Sequence, residues 1–292
     1  MNIGLYAKVV SSGKQWLIVK EVIDFLVAEG VHVLLHPHLD EEISNYSKAP
    51  SGLPVFQKLT PQNKTLDYLI SIGGDGTILD AVEVVADSAV PIIGVNTGRL
   101  GFLANVNTDG LKQAFNELIR GSYQIDKRNL LQLESNQELF QFNYALNDFV
   151  IHKKETSSMI TVHAFLNGEP LNSYWADGLI VATPTGSSGY SLSCGGPILF
   201  PKSGSLVVTP IAPHNLNVRP VIIPDDQVLS FEIEGRSSHF LASLDSRSVT
   251  ITDQVQIAIR KADFNVNLVR FEGDTYLRTL RNKMLWGMDQ RN

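Results

Sequence analysis

Cysteine, net positive charge and long apolar runs are all scarce in this sequence, and each shortage closes a class of function. The single cysteine, Cys194, excludes an intramolecular disulfide and any CxxC metal site, which suits a reducing compartment. No uninterrupted apolar run reaches the roughly 20 residues that cross a bilayer. The opening MNIGLYAKVV lacks the charged and apolar regions of a signal peptide. The chain is therefore expected to be cytoplasmic, with no membrane partner. Lys and Arg number 24 against 30 Asp and Glu, a net charge of −6, so the broad cationic surface that nucleic acids require is missing. An anionic ligand would have to be held locally. The 7 histidines are scattered. His36 and His38, around Pro37, have no third ligand nearby and are expected to be loop residues, so no protein-held metal is expected. Repeats and low-complexity segments are also missing.

What is present is enough apolar sequence for a soluble globular protein: 43% hydrophobic residues in a 292-residue chain, expected to form two domains. The first half alternates short apolar runs with segments of helical period, the pattern of a parallel sheet flanked by helices. Ile3–Tyr6 reads as a strand. Lys14–Glu29 reads as a helix with Val19, Val22, Ile23 and Leu26 on one face and Gly30 as its stop. Val31–His36 is a second strand, and the polar stretch from Pro37 to Lys64 is expected to be a mobile surface loop. Leu66–Ile72 is a third strand, followed by Gly73-Gly74-Asp75-Gly76-Thr77 and a helix over Thr77–Asp87. Val90–Val95 is a fourth. Beyond it Thr108 offers an N-cap to a helix ending near Arg120. From Tyr123 to about Val269 strand-length runs dominate, with a hairpin turn at Asn167-Gly168. Helical spacing returns over Asp274–Trp286, through Leu277, Leu280, Met284 and Leu285. The expected boundaries are 1–122 for an α/β domain, joined by 270–292, and 123–269 for a β-rich domain.

The glycine turn is the first chemical signal. Gly73 and Gly74 let the backbone approach a phosphate with no Cβ in the way, and the following helix directs its free N–H groups and positive dipole end to the same place. Gly76 and Thr77 complete this expected anion site. A carboxylate among phosphates would repel them, so Asp75 needs another role: to hydrogen-bond a ribose hydroxyl and take its proton as that oxygen attacks phosphorus. The plain alternative is a tight strand-to-helix turn. The turn is neither a P-loop nor a GxGxxG fingerprint.

Gly73–Thr77 resembles the turn shared by NAD kinases and by diacylglycerol and sphingosine kinases. Three further segments narrow the choice. Asn96-Thr97-Gly98-Arg99-Leu100-Gly101-Phe102-Leu103 is similar to an NxGxLGFL element of NAD kinases. Asp177 to Pro197, DGLIVATPTGSSGYSLSCGGP, resembles their DGxIxxTPTGSTAYxxSxGGP signature. It is a strand followed by a hydroxyl-rich loop with one aromatic, equipment for wrapping adenine and ribose. Asn147-Asp148, after the strand Asn143–Leu146, matches an Asn-Glu pair with one methylene fewer. By this resemblance the fold is an α/β N-terminal domain with a Rossmann-like parallel sheet, an all-β C-terminal domain that binds NAD, and a C-terminal helix packing back on the first.

The resemblance also implies the site. Asp75 is the catalytic base. Asn147, Tyr190 and Ser188 grip adenine, Asp75 and Asp148 the ribose, and Asp177 and Ser193 a second part of the dinucleotide. Asn96, Thr185, Gly189 and Ser191 complete the ligand set. Asp245-Ser246-Arg247 occupies the place of an Asp-Ser/Gly-Gln element, and Arg247 is expected to reach a phosphate, a solvated surface arginine being the alternative. Trp175 and Ser158 stand where relatives carry polar or basic residues. Cys194 is expected to be a small buried thiol. NAD and ATP are the implied substrates, Mg²⁺ or another divalent cation the cofactor, and a dimer or tetramer the assembly. A lipid kinase would need an apolar cleft or a basic membrane-facing surface. A non-catalytic dinucleotide sensor would not need Asp75.

Overall fold

A computed structural model of the chain describes residues 1–8, 13–48, 51–98, 101–154 and 159–284. Arg99 and Leu100 of the NxGxLGFL-like segment, Ser158, and Leu285 and Trp286 of the last helical segment lie outside the described residues. The chain forms two compact units, Met1–Lys127 with Val266–Asn292, and Arg128–Asn265. Among the described residues no helix is long and apolar enough to cross a membrane.

The first unit is α/β. Its strands lie in the order His32–Leu35, Asn2–Tyr6, Tyr68–Gly73, Ile92–Asn96, all parallel. Parallel neighbours need crossovers, which is why helices Gly13–Ala28 and Asp75–Val85 separate them in sequence. The first helix buries Val19, Val22 and Leu26. It stops at Gly30, whose φ of 72° is left-handed and whose amide returns to the carbonyl of Val27, a glycine C-terminal cap. The strands contribute Ile3, Leu5, Ile70, Ile72, Ile93 and Val95 to the same core. Each such buried side chain contributes about 1.5–3 kcal/mol relative to an exposed one. The last helix, Tyr276–Met284, buries Leu280 completely.

The strand order has a consequence for function. The chain leaves Asn2–Tyr6 toward one edge and returns on its other side with Tyr68–Gly73. The carboxyl ends of these two neighbours therefore form a topological switch point, where ligands of open α/β sheets bind. Gly73 lies at that end.

Three local expectations need correction. Pro37–Lys64 is not simply a loop, because Pro37–Ser47 is an α-helix. Pro37 stands at its start, where a missing N–H is harmless. His36 is its N-cap, accepting from the His38 amide, and Leu39 and Ile43, one turn apart, are buried. The helix after the glycine turn starts at Asp75 rather than Thr77. Thr108 begins a short 3-10 turn, Thr108–Gly110, ahead of the helix Leu111–Arg120 and is not an N-cap.

The second unit is two antiparallel sheets around one core. One carries Glu169–Ala176, Ile160–Leu166, Leu229–Gly235 and Ile257–Phe271. The other has six strands, in the order Val221–Pro224, Ser205–Ile211, Gly178–Ala182, Asp148–Lys153, His239–Leu244 and Arg247–Thr252. Alternation assigns their faces. Phe149, Ile151, Leu179, Val181, Phe240 and Leu244 share a core with Val162, Tyr174, Phe231 and Ile259 of the other sheet. Val150, Ile180 and Ala182 point the other way, into a smaller cluster with Leu199 and Cys194. The segment after Ala182 therefore covers the outer face of the six-stranded sheet, and the strand Gly178–Ala182 is buried on both faces. The hairpin at Asn167-Gly168 is as expected, with φ of 51° and 84°.

Candidate active site

In the first unit, the glycine turn is shaped by close contacts. Gly73 has φ 157°, and a Cβ there would stand 2.1 Å from the Thr77 hydroxyl oxygen, so only glycine lets the helix begin so soon after the strand. Gly74, the helix N-cap, has no side-chain cap hydrogen bond. Both Gly74 and Gly76 are exposed, with nothing near where a Cβ would lie. An open backbone at a helix N-terminus is what an anion needs.

Asp75 does not stand free in this turn. Its Oδ2 accepts from the Phe102 amide at 2.7 Å, and its Oδ1 from those of Leu103 and Ala104 at 3.0 and 3.1 Å. Gly101 is pressed against it, since a Cβ there would lie 1.8 Å from Oδ1. This answers the electrostatic objection to a carboxylate at an anion site: three backbone dipoles and the helix N-terminus stabilise it. A carboxylate has about four acceptor positions, so with three used, one remains, on Oδ2.

The loop it holds is braced elsewhere. The Arg270 guanidinium donates to the Phe102 carbonyl at 3.2 Å and to Asp126 at 3.3 Å, and Asn105 donates to Asp274 at 2.6 Å. Asn96 is buried, and its side-chain oxygen accepts from the Gly98 amide at 2.8 Å, closing the start of the loop. Lys8, just beyond the first strand, forms an ion pair with Asp80 of the glycine-turn helix at 2.9 Å.

In the second unit, Asp148 opens its strand and is buried, 7% exposed. Burial, and then the charge of Asp245, push its carboxyl up to about 7. Asn147 is half-buried, with its amide and carbonyl both engaged. Asp177 carries an ion pair with Lys153 at 2.6 Å. Tyr190 is 43% exposed. Its phenol is raised by burial, then by Cys194, Asp177 and Asp148, which brings the tyrosine and both aspartates into one neighbourhood. Ser193 and Gly189 are exposed and Ser188 half-buried, its hydroxyl on the Thr185 carbonyl at 3.2 Å. Burial raises the Cys194 thiol, which is half-exposed.

Other residues expected at the ligand serve the loop itself. Ser191 is fully buried, its hydroxyl 2.8 Å from that of Thr209. Thr185 is buried and accepts from Arg128 at 3.1 Å. Arg247 is not aimed outward at a phosphate: its guanidinium donates to the carbonyls of Phe142 and Tyr144 and lies 5.2 Å over the Phe142 ring. Trp175 is 51% exposed and packs against His214.

Sequence reasoning missed the grip of Asp245 on the amides of Leu146, Asn147 and Asp148, and the cations Lys8, Lys153, Arg128 and Arg270. The one available signal was Asp245 at the tip of a strand pair. Among the described residues no group of three or more His, Cys, Asp or Glu could hold a metal ion.

Residues 7–123 match the family model of the ATP-NAD kinase N-terminal domain, and residues 146–271 that of the C-terminal domain. Among curated proteins, the NAD kinase of Cytophaga hutchinsonii is 50% identical over 244 residues, 83% of each chain. That of Flavobacterium johnsoniae is 42% identical over 295 residues, the whole of both. Among solved structures, yeast NADH kinase complexed with NADH superposes with a TM-score of 0.84 at 26% identity, covering 99% of this chain and 89% of that one. An NAD kinase from Archaeoglobus fulgidus in complex with ATP has a TM-score of 0.73 at 24% identity, covering 98% and 99%.

Proposed function

The chain belongs to the NAD kinase family, and from that premise we propose that it moves the terminal phosphate of ATP onto the 2′-hydroxyl of the adenosine ribose of NAD, giving NADP. It is a phosphotransferase. The yeast relative was solved with NADH and the archaeal one with ATP, which supports a dinucleotide acceptor and a nucleotide donor here. The observation that carries the mechanism is the Asp75 carboxylate, held by three amides with one acceptor position left on Oδ2. That position accepts the 2′-hydroxyl and takes its proton as the oxygen attacks the γ-phosphorus. The open amides around Gly74 and Gly76 face the phosphate charge.

Residues 1–122 with 270–292 are assigned the phosphate-transfer turn, and 123–269 the dinucleotide loops. Tyr190 stacks on the adenine, with Asn147 and Ser188 hydrogen-bonding its edge. Asp148 accepts from ribose hydroxyls, and Asp177 and Ser193 hold the second half of the dinucleotide. Support for this reading comes from the exposure of Tyr190 and Ser193 and from the electrostatic proximity of Asp148 and Asp177 to the tyrosine.

A divalent cation, Mg²⁺ in our assignment, fits as a companion of the ATP phosphates. Near the turn Asp80 is paired with Lys8 and the open position of Asp75 is assigned to the 2′-hydroxyl, so the cation would take its ligands from phosphate oxygens and water. When bound, it neutralises charge on the transferring phosphoryl group. We assign the protein to the cytoplasm, and to a homo-oligomer supported by the exposed apolar side chains of Trp175, Leu216 and Ile222.

One assay tests the function: full-length protein with NAD or NADH, ATP and Mg²⁺, followed by detection of NADP or NADPH. Product is expected, and excess chelator should abolish it. No product from either dinucleotide would overturn the reading.

A further inference from the structure

The backbone of Leu146, Asn147 and Asp148 is held from two sides. On one side stands the turn between strands His239–Leu244 and Arg247–Thr252. Asp245 Oδ2 accepts from the Leu146 amide at 2.8 Å, and Oδ1 from those of Asn147 and Asp148 at 2.8 and 3.1 Å. Its own amide donates to the Asp148 carbonyl at 3.0 Å. Arg247, two residues on, takes the carbonyls of Phe142 and Tyr144. On the other side the Thr183 amide donates to the Asn147 carbonyl at 2.9 Å and the Thr183 hydroxyl to that of Leu146 at 2.6 Å. Gly186 stands so near that a Cβ there would lie 2.1 Å from the Asn147 carbonyl oxygen.

Asp245 has φ 50°, a left-handed conformation that two-residue turns fill with Asn, Asp or Gly. Of these only aspartate offers two carboxylate oxygens, and here they gather three consecutive amides. Asp75 makes the same arrangement with Phe102–Ala104 in the other unit. There too an arginine takes a carbonyl of the held loop.

We propose that Asp245 is a positioning residue for dinucleotide recognition, clamping the segment that carries Asn147 and Asp148 so that their side chains are aimed before ligand arrives, with Arg247 bracing the same segment. The proposal rests on the reading of Asn147 and Asp148 as adenine and ribose contacts. Pre-aimed groups lose less freedom on binding, so loosening the clamp weakens NAD binding while ATP binding, assigned to the other unit, is spared.

The test compares full-length wild type with Asp245→Asn and Arg247→Lys, by calorimetric Kd for NAD and ATP and by steady-state kinetics. Asp245→Asn keeps the shape but loses the charge and replaces one of the two acceptor oxygens with an amide donor. It is expected to raise Kd and KM for NAD by about tenfold or more, one decade of affinity, with those for ATP unchanged. It should also move the acid limb of kcat/KM for NAD to lower pH. The charged and titratable groups facing Asp148 are Asp245 and, beside it, Arg247 from the turn, and Tyr190, with Asp177 near it, from the covering loop. Removing Asp245 removes the like charge among them. A merely structural role would lower Tm, change NAD and ATP constants in parallel and leave the limb in place, and that result would overturn the proposal. Should Asp245→Asn not fold, Arg247→Lys decides: a Kd for NAD raised severalfold with ATP unchanged supports the clamp, and an unchanged Kd for NAD overturns it. Wild-type protein that binds NAD but forms no NADP would overturn the kinase reading instead, with the clamp still judged by Kd.

Discussion

Two carboxylates, each at the start of an element, stand in opposite electrostatic surroundings. Asp75 is stabilised by three amides, whereas Asp148 is desolvated beside a second carboxylate and pushed up to about 7. For Asp75→Asn, kcat is expected to fall by about 10² or more, the order contributed by general-base catalysis, while NAD binding remains measurable by calorimetry. Retained turnover would remove Asp75 from the base role. Asp148 gives a prediction in pH. Its folded carboxyl is raised above the ordinary 3.8, so the protonated form is favoured on folding. That stabilisation is full below about pH 4 and is lost as pH rises through about 7. Replacing it with Asn should therefore raise Tm relative to wild type more at about pH 8 than at about pH 5. On the proposed contact of Asp148 with the ribose hydroxyls, which need an acceptor, wild-type kcat/KM for NAD should rise through about pH 7, and the variant should lack that limb.

At the scale of elements, the strands and the longer helices were legible because their apolar periods are uninterrupted, as in Val19, Val22 and Leu26. The helix Pro37–Ser47 was not, because only Leu39 and Ile43 face inward and its proline, a start signal at the first turn, reads equally as a loop residue. If the helix is part of the core, Leu39→Ala should lower stability by about 2–5 kcal/mol, the range for emptying a buried leucine site. A denaturant midpoint no different from wild type would return the segment to the status of a surface loop. The Asp177–Pro197 segment was legible as a motif, yet its division of labour was not. Ser191 and Ser193 lie two residues apart on opposite sides of the short helix Tyr190–Ser193, and only the packing against Thr209 shows which side is buried.

For the molecule as a whole, the fold class follows from the change of pattern near Tyr123, from alternating strand and helix to strand after strand. Its assembly is a matter for measurement: light scattering at micromolar concentration is expected to give a multiple of the 32.2 kDa chain mass, and Trp175→Ala with Leu216→Asp to shift it toward one chain. A monomeric wild type would remove the oligomer from the proposal.

Most strands and helices, the glycine turn, the family resemblance and with it the class of reaction could be read from the order of residues, because backbone preference and motif spacing are local properties. Which polar side chains are used up, and by which partners, followed from the packing of distant segments. Asp75 finds its amides 27 to 29 residues away, and Asp245 its amides 97 to 99 away. Arg247 finds its carbonyls more than a hundred residues back. Such partners are brought together by strand order and register, to which no local period answers, and a buried polar group must take the partners that topology provides.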